Sequence, residues 1–121
     1  MARVLIVDDN EDIRMLLQMV LEGDGHAVET AASGRIALDC DDIAKFDLVL
    51  LDVQMPEQDG WATLAALRAS HGDRPAAALC TVKSHPADLV RGFELGADGY
   101  LSKPFDLVQL LSQVRQLIGE A

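Results

Sequence analysis

The chain has 121 residues, 50% of them hydrophobic, which fits one folded domain and argues against a disordered chain. Acidic residues outnumber basic ones by 20 to 10, giving a formal net charge of -10. All of that excess lies in residues 1–60, which hold 14 acidic and 4 basic residues, whereas residues 61–121 hold 6 of each. Such acidity disfavours direct binding to nucleic acid or to anionic lipid.

Targeting and redox signals are weak in this chain. The apolar run Val4–Val7 is too short for a signal peptide or a membrane span. Cys40 and Cys80 lack metal-site spacing, so we interpret them as reduced, buried or half-buried residues and expect a cytoplasmic protein. The histidines follow no catalytic or metal-ligand pattern and are interpreted as structural or solvated: His26, His71 and His85.

The first half of the chain alternates apolar runs with helical patterns. Val4–Val7 is continuously apolar, which is typical of a strand buried on both faces. Apolar residues spaced as on one helix face follow, with Asn10 as the predicted N-cap and Gly23 as the predicted stop. The next predicted elements are a weaker strand, a helix capped by Ser33 and a strongly apolar strand: Ala27–Ala31, Gly34 to about Ile43, and Leu48–Leu51.

The second half continues the alternation. Its predicted helices begin at Asp59, at Ser84 or His85 with Pro86, and at Asp106, with Gly96 closing the second of them. Phe105 is placed to staple onto Leu110 in the last helix. The predicted elements are helix Trp61–Ser70, strand Ala76–Thr81, a helix after Pro86, strand Gly99–Leu101, and a final helix from Leu107.

Five repeats of strand and helix predict a parallel sheet with helices on both faces. We therefore expect an α/β fold: a single doubly wound, flavodoxin-like domain whose five strands have the order 2-1-3-4-5. No linker or low-complexity segment interrupts the pattern, so residues 1–121 are expected to be one domain, with no output domain in the chain.

Polar residues follow four of the predicted strands, at the edge where an open parallel sheet binds ligands. They are Asp8 and Asp9 after the first strand, Asp52 after the third, Thr81 at the end of the fourth and Lys103 after the fifth. Clustered carboxylates repel unless a cation joins them, and oxygen ligands suit Mg²⁺ better than Zn²⁺. A carboxylate nucleophile, a hydroxyl, an ammonium and Mg²⁺ are together what phosphoryl transfer needs.

Each residue alone also has a structural interpretation. Asp8 and Asp9 suit a helix N-terminus, and Asp52 suits the start of a turn. Thr81 is an ordinary strand residue and Lys103 an ordinary solvated one. The joint pattern favours a site, although the sequence contains no glycine-rich nucleotide-binding motif and no Ser/His/Asp or Cys/His set.

These residues resemble the receiver domain of two-component response regulators (the CheY-like superfamily) over nearly the whole chain. The matching segments, in chain order, are Val4–Asp9, Leu48–Gly60, Thr81, Gly96–Leu101 and Lys103–Phe105. Each segment is weakly specific alone, whereas all of them at the ends of the right strands are highly specific. The resemblance brings with it the family's strand order and implies a phosphoacceptor regulator that assists its own phosphorylation and dephosphorylation, not an enzyme.

By resemblance, Asp52 accepts a phosphoryl group from a partner histidine kinase or histidine phosphotransfer protein. Asp9, Asp52 and the backbone carbonyl of Gln54 would bind Mg²⁺, while Asp8 would act mostly through water. Lys103 would pair with a phosphoryl oxygen, and the Lys103–Pro104 peptide bond is expected to be cis.

The resemblance also implies a switch, in which Thr81 moves to hydrogen-bond the phosphoryl group and Tyr100 turns inward. Taken alone, Tyr100 also suits a core aromatic. The change would reach a surface of the fourth helix, fifth strand and fifth helix that controls a partner protein or output domain and is a possible homodimer contact. Its candidate residues are Val90, Arg91, Tyr100, Val108 and Gln109.

One residue departs from the family pattern. Val82 stands where the family usually has Ala or Gly, and its branched side chain is expected to narrow access to the phosphoryl site. Gln54 and Lys83 are expected to tune the phosphate lifetime. Two alternatives remain: a degenerate receiver acting as a constitutive protein-interaction module, and a Mg²⁺-dependent phosphatase, which would usually place a second Asp where this chain has Gln54.

Overall fold

The structure is a computed structural model that describes residues 2–40, 42–53, 60–81, 86–103 and 106–119. Five strands form one parallel sheet in the order 2-1-3-4-5, which confirms the predicted α/β architecture. The connections change direction between the first and third strands, which lie side by side. The strands are β1 Arg3–Val7, β2 Ala27–Ala31, β3 Leu48–Asp52, β4 Ala76–Thr81 and β5 Gly99–Ser102.

A helix follows each strand, and most helix ends lie within a residue or two of the predicted ones. The helices are α1 Glu11–Gly23, α2 Gly34–Leu38, α3 Gly60–His71, α4 Pro86–Glu94 and α5 Leu107–Leu117, with a short 3₁₀ helix at Ile43–Lys45.

The predicted length of α2 is wrong, because the helix ends at Leu38 and does not continue to about Ile43. Asp39 is its C-cap, and Asp42 precedes the 3₁₀ turn. Asp is a poor helix former, and its negative charge is unfavourable at the negative end of the helix dipole. The acidic segment therefore ends the helix although the apolar spacing allows it to continue.

Side-chain caps begin three helices, as predicted. The Oδ1 atom of Asn10 accepts the backbone N–H groups of Asp12 and Ile13 at 2.9 and 3.2 Å. Ser33 Oγ accepts the N–H of Ile36 at 3.2 Å, and Asp106 caps α5 in the same way. The predicted caps and staple at Asp59, Ser84, His85 and Phe105 lie outside the described residues.

α1 ends at Gly23, the predicted stop, and Gly96 closes α4 as predicted, but glycine takes a different place at the two helix ends. Gly96 has a φ of 104°, and the N–H of Ala97 donates to the carbonyl of Gly92 at 3.0 Å, as in a Schellman motif. Gly23 is instead the last residue of α1, where Asp24 is the C-cap and Gly25 takes the left-handed conformation with a φ of 93°.

Buried side chains fill both faces of the sheet, and every residue of β3 is buried. On one face Leu17 and Leu21 of α1 pack with Leu110 and Val114 of α5. The opposite face contains Leu64 and Leu67 of α3 among its buried residues. Burial on both faces of the sheet holds the carboxyl ends of β1 and β3 in place. The residues at those ends are therefore positioned by the packed strands.

The residues without a predicted chemical role occupy ordinary structural positions. Cys80 is buried, Cys40 is half-buried, and both are free thiols. His26 is buried, with Nε2 3.5 Å from Asp24. No helix in the described part of the chain is long and apolar enough to cross a membrane.

Replacing Asp106 with alanine should lower the free energy of unfolding by about 1 kcal/mol, since α5 loses the oxygen that accepts the N–H groups of Val108 and Gln109. Asp106→Asn keeps a suitable oxygen and should keep most of the stability. Urea denaturation of the three proteins measures the difference. An equal loss in both variants would show that the side-chain cap does not stabilise α5.

Candidate functional site

Three carboxylates meet at the carboxyl edge of the sheet. Asp52 is the last residue of β3 and Asp8 directly follows β1, and these two strands pair in parallel with Val7 opposite Leu51. Both carboxyl residues are buried, whereas Asp9 is exposed. One oxygen from each of Asp8, Asp9 and Asp52 lies within 4.8 Å of the others. The structure therefore brings together the three acids that the sequence singled out.

Lys103 places an ammonium group among these acids. Its Nζ atom lies 3.0 Å from Asp8 Oδ2 and 3.2 Å from Asp52 Oδ1. Its backbone N–H donates to the carbonyl of Thr81 at 2.9 Å, which fixes the start of the segment after β5. The side chain is 17% exposed, so the two ion pairs are shielded from water on most sides.

The pKa of Lys103 reflects opposing effects. Burial works to lower it, because the charged form loses hydration. The hydrogen bond and charge of Asp8, with the charge of Asp52, outweigh burial and hold the pKa of Lys103 above its ordinary value of 10.5. Lys103 is therefore a cation at neutral pH and offsets part of the acidic charge.

Asp8 is fixed by contacts that the sequence analysis did not predict. Its Oδ1 atom accepts the backbone N–H of Asn10 at 2.9 Å, while Oδ2 faces Lys103. Arg14, on α1, donates from Nη1 to the backbone carbonyl of Asp8 at 2.7 Å. The position of Arg14 in the helix was readable from the sequence, but the direction of its side chain depends on how α1 packs on β1.

Cys80 lies in β4 opposite Asp52 and is an unreactive neighbour of the site. Burial is the main cause that raises the pKa of its thiol to about 12, and the charges of Asp52 and Asp8 act in the same direction. Lys103 opposes them to a smaller extent than burial. The thiol stays protonated at neutral pH, which fits its interpretation as a small buried residue.

The predicted switch residues lie on the two strands beside the acids. Thr81 is buried at the end of β4, and its carbonyl is held by Lys103. Tyr100, in β5, is half-buried and pairs in register with Leu79. Its ring meets that of Phe93 edge-on with the centroids 5.4 Å apart.

The surface predicted to carry the output contains exposed apolar side chains. Val90 of α4 is 54% exposed and Val108 of α5 is 79% exposed, and Gln109 is also exposed. Arg91 is exposed but not isolated, because its guanidinium carbon lies 4.3 Å from the centroid of the Trp61 ring at the start of α3. This cation–π contact could not be predicted from the sequence, because it depends on how α3 and α4 are placed relative to each other.

Several predicted residues lie outside the described part of the chain: Gln54, Val82, Lys83 and Pro104. The backbone ligand, the rate-tuning roles and the cis Lys103–Pro104 bond therefore stay predictions. The acid cluster offers oxygen donors only, and three carboxylates suit a hard cation such as Mg²⁺. The donor chemistry thus fits the metal that the sequence analysis expected.

Comparison with known proteins gives consistent results at the level of family and structure. A family model described as the response regulator receiver domain matches residues 4–115. The transcriptional regulatory protein PcoR of Escherichia coli is 40% identical over 121 residues, which are 100% of this chain and 53% of PcoR. The transcriptional regulatory protein CpxR of Escherichia coli strain K12 is 41% identical over 118 residues, covering 98% of this chain and 50% of CpxR. The chain spans about half the length of these curated relatives.

Solved structures match over nearly the full chain. Chemotaxis response regulator CheY4 of Vibrio cholerae has a TM-score of 0.89 and 36% identity, with 97% of this chain and 98% of that chain covered. Response regulator protein TrrA of Thermotoga maritima, solved in complex with Mg(2+)-BeF, has a TM-score of 0.85 and 33% identity, with coverage of 97% and 99%.

The pKa of Lys103 should lie above 10.5 in metal-free buffer and should fall in Asp8→Asn, because burial remains while the strongest partner is lost. Since folding raises this pKa, the contribution of Lys103 to stability is fully present below pH 10.5 and is lost as the pH rises through the folded-state pKa. NMR titration of the Lys103 side chain measures both proteins. A pKa at or below 10.5 in the parent chain, or no fall in the variant, would contradict the assignment.

Proposed function

The chain belongs to the response regulator receiver domain family, and from that premise we propose that it is a phosphorylation-controlled signalling switch with Asp52 as its phosphoacceptor. The observation that supports this most directly is the junction of Asp8, Asp9, Asp52 and Lys103 at one edge of the sheet. Phosphoryl transfer needs positioned groups and neutralisation of spread negative charge, and this junction offers both.

In the proposed reaction, a carboxylate oxygen of Asp52 forms a bond to the phosphorus of a phosphohistidine on a partner protein. The phosphorus–nitrogen bond breaks, its electron pair stays on the donor ring nitrogen, and that nitrogen takes a proton from solvent. Lys103, which contacts Asp8 and Asp52 at 3.0 and 3.2 Å, then pairs with an oxygen of the new phosphoryl group.

Mg²⁺ would be held by Asp9 and Asp52 with the carbonyl of Gln54, and when bound it supplies positive charge opposite the phosphoryl oxygens. Asp8 would act mostly through water, since Asn10 and Lys103 already occupy its two oxygens. The exposure of Asp9 beside two buried acids supports entry of the ion from the solvent side.

The signal is proposed to leave the site through Thr81 and Tyr100. A hydroxyl donor at Thr81 would hydrogen-bond the phosphoryl group, and Tyr100 would respond one strand further along the sheet. The exposed apolar residues Val90 and Val108 support a contact surface formed by α4, β5 and α5. The phosphate lifetime would be tuned by Gln54, Val82 and Lys83.

The proposed partners are a sensor histidine kinase or a histidine phosphotransfer protein upstream, and a protein or output domain downstream. Curated relatives about twice as long are named transcriptional regulators, which supports control of an output domain. The acidic charge and the two free thiols support a cytoplasmic domain without direct contacts to nucleic acid or membrane. A homodimer through the α4-β5-α5 surface is part of the same proposal.

The proposal is favoured over a constitutive module because the acids and Lys103 are assembled at contact distance. A module that never binds Mg²⁺ or phosphate has no use for buried, mutually repelling carboxylates. The chain is likewise proposed as a regulator and not a phosphatase, because Gln54 occupies the position where such an enzyme usually has a second Asp.

The phosphoryl mimic beryllofluoride should bind only with Mg²⁺ present and should shift the NMR signals of Thr81 and Tyr100. Asp52→Asn should abolish the shifts, because the mimic loses the carboxylate oxygen that binds it. Asp39→Asn, an exposed acid outside the cluster, is the matched control and should respond like the parent chain. A parent chain without any Mg²⁺-dependent response, or an equal response in Asp52→Asn, would overturn the proposal.

A further inference from the structure

The ring of Tyr100 rests against the backbone of α4 at Gly92, a buried residue. A Cβ atom added to Gly92 would overlap Tyr100 Oη, and it would lie 2.5 Å from Tyr100 Cζ and 2.8 Å from Leu79 Cδ1. Real Cβ atoms essentially never approach another atom within 3.0 Å. The observed position of the ring therefore requires a residue without a side chain at position 92.

The backbone of α4 does not itself require glycine there. Gly92 lies inside the helix and is absent from the glycines with positive φ, which include Gly96 at the end of α4. Alanine is a better helix former than glycine, so helix stability alone favours a larger residue at position 92. Close approach of the Tyr100 ring explains why glycine serves this position.

A second contact defines the same location for the ring. Phe93 meets Tyr100 edge-on at 5.4 Å between centroids, and Phe93 is 51% exposed while Tyr100 is half-buried. The phenol thus lies against the α4 backbone at Gly92, a position that Leu79 of β4 also approaches, with Phe93 at the edge of the ring. We use "inward position" for this placement of Tyr100.

We propose that Gly92 is a positioning residue that keeps the inward position open and thereby sets how strongly Asp52 is coupled to the α4-β5-α5 surface. The placement of the ring rests on the contacts above, and the coupling rests on the proposed function. A side chain at position 92 moves Tyr100 outward whether or not the chain is phosphorylated.

The coupling follows from thermodynamic linkage. If the phosphoryl mimic favours the inward ring by a given factor, the inward ring strengthens binding of the mimic by the same factor. A residue that excludes the inward ring must then weaken binding of the mimic by up to that factor. Coupling between sites is commonly worth five-fold or more in affinity. Gly92→Ala should therefore weaken Mg²⁺-dependent beryllofluoride binding about five-fold or more.

The chain offers a matched control in Gly23. It is the last residue of α1, has no positive φ, and has no atom within 4 Å of an added Cβ. Gly23→Ala therefore adds the same methyl group to a helix without touching Tyr100. Any effect of Gly92→Ala that Gly23→Ala lacks is due to the surroundings of position 92.

The direct test uses the single tyrosine of the chain. Labelling with 3-fluorotyrosine gives one ¹⁹F resonance, which reports Tyr100 alone. In Gly92→Ala, without Mg²⁺ or beryllofluoride, the resonance should move toward that of a solvated fluorotyrosine and broaden more with a soluble paramagnetic probe. In Gly23→Ala it should stay at the parent position. A resonance unmoved in Gly92→Ala would overturn the proposal.

Titration with beryllofluoride and Mg²⁺ then tests the coupling. A resonance that moves while beryllofluoride affinity stays at the parent value would overturn the coupling. If the parent chain does not bind beryllofluoride at all, the proposed function fails, while the resonance of the Mg²⁺-free proteins still decides the role of Gly92 in placing the ring.

A double variant keeps the proposal testable if Gly92→Ala folds poorly. Tyr100→Leu removes the ring but not Leu79, whose Cδ1 atom ends a flexible side chain 2.8 Å from the added Cβ. Gly92→Ala should therefore lower the urea midpoint less in the Tyr100→Leu background than in the parent chain. An equal drop in both backgrounds would show that position 92 excludes side chains for a reason other than Tyr100.

Discussion

The ammonium of Lys103, placed between Asp8 and Asp52, is the interaction on which the site depends. The fold brings two buried carboxylates and an exposed third one to the same edge of the sheet, where their like charges repel one another. Burying charged groups costs hydration, which their mutual attraction has to offset. Removing one partner of such a buried pair costs about 3–5 kcal/mol, because the remaining charge is left uncompensated. Lys103 is therefore what allows the acids to share this edge.

The same arrangement also suits the step proposed for Lys103, in which its ammonium group would exchange a carboxylate oxygen for a phosphoryl oxygen. Asp8 is held on both oxygens and Asp52 is held by an ammonium, whereas Asp9 faces solvent. An ammonium that already contacts Asp52 needs little movement to meet a group attached to that carboxylate. The strands beneath are buried on both faces, so under the proposed function a change of charge at the edge would act first on the neighbouring side chains. On the β5 side, the glycine at position 92 leaves space for the ring of Tyr100 against the backbone of α4.

The strands, the strand order and the grouping of the acids with Lys103 could be predicted from the sequence, because they depend on patterns of neighbouring residues. The continuous apolar runs mark buried strands, and polar residues directly after them must share one edge in a parallel sheet. That logic placed Asp8, Asp52 and Lys103 together although Asp8 and Lys103 are 95 residues apart. The caps at Asn10 and Asp106 were also visible, since capping depends on neighbouring residues.

What the sequence did not show depends on packing between elements. Arg14 reaches the carbonyl of Asp8, and Arg91 stacks on Trp61, only because particular helix faces meet. The early end of α2 reflects acidic residues overriding an apolar pattern. The need for glycine at position 92 likewise depends on packing, because it arises from the ring of Tyr100 lying against α4.

A double-mutant cycle on Lys103 and Asp8 tests the central claim most directly. Urea unfolding would be measured in metal-free buffer for the parent chain, Lys103→Met, Asp8→Asn and the double variant. If Lys103 compensates the acids, Lys103→Met should destabilise the parent chain more than it destabilises Asp8→Asn, with an interaction energy of about 1–3 kcal/mol. Effects that add to within about 0.5 kcal/mol would contradict the claim, since independent residues behave in that way.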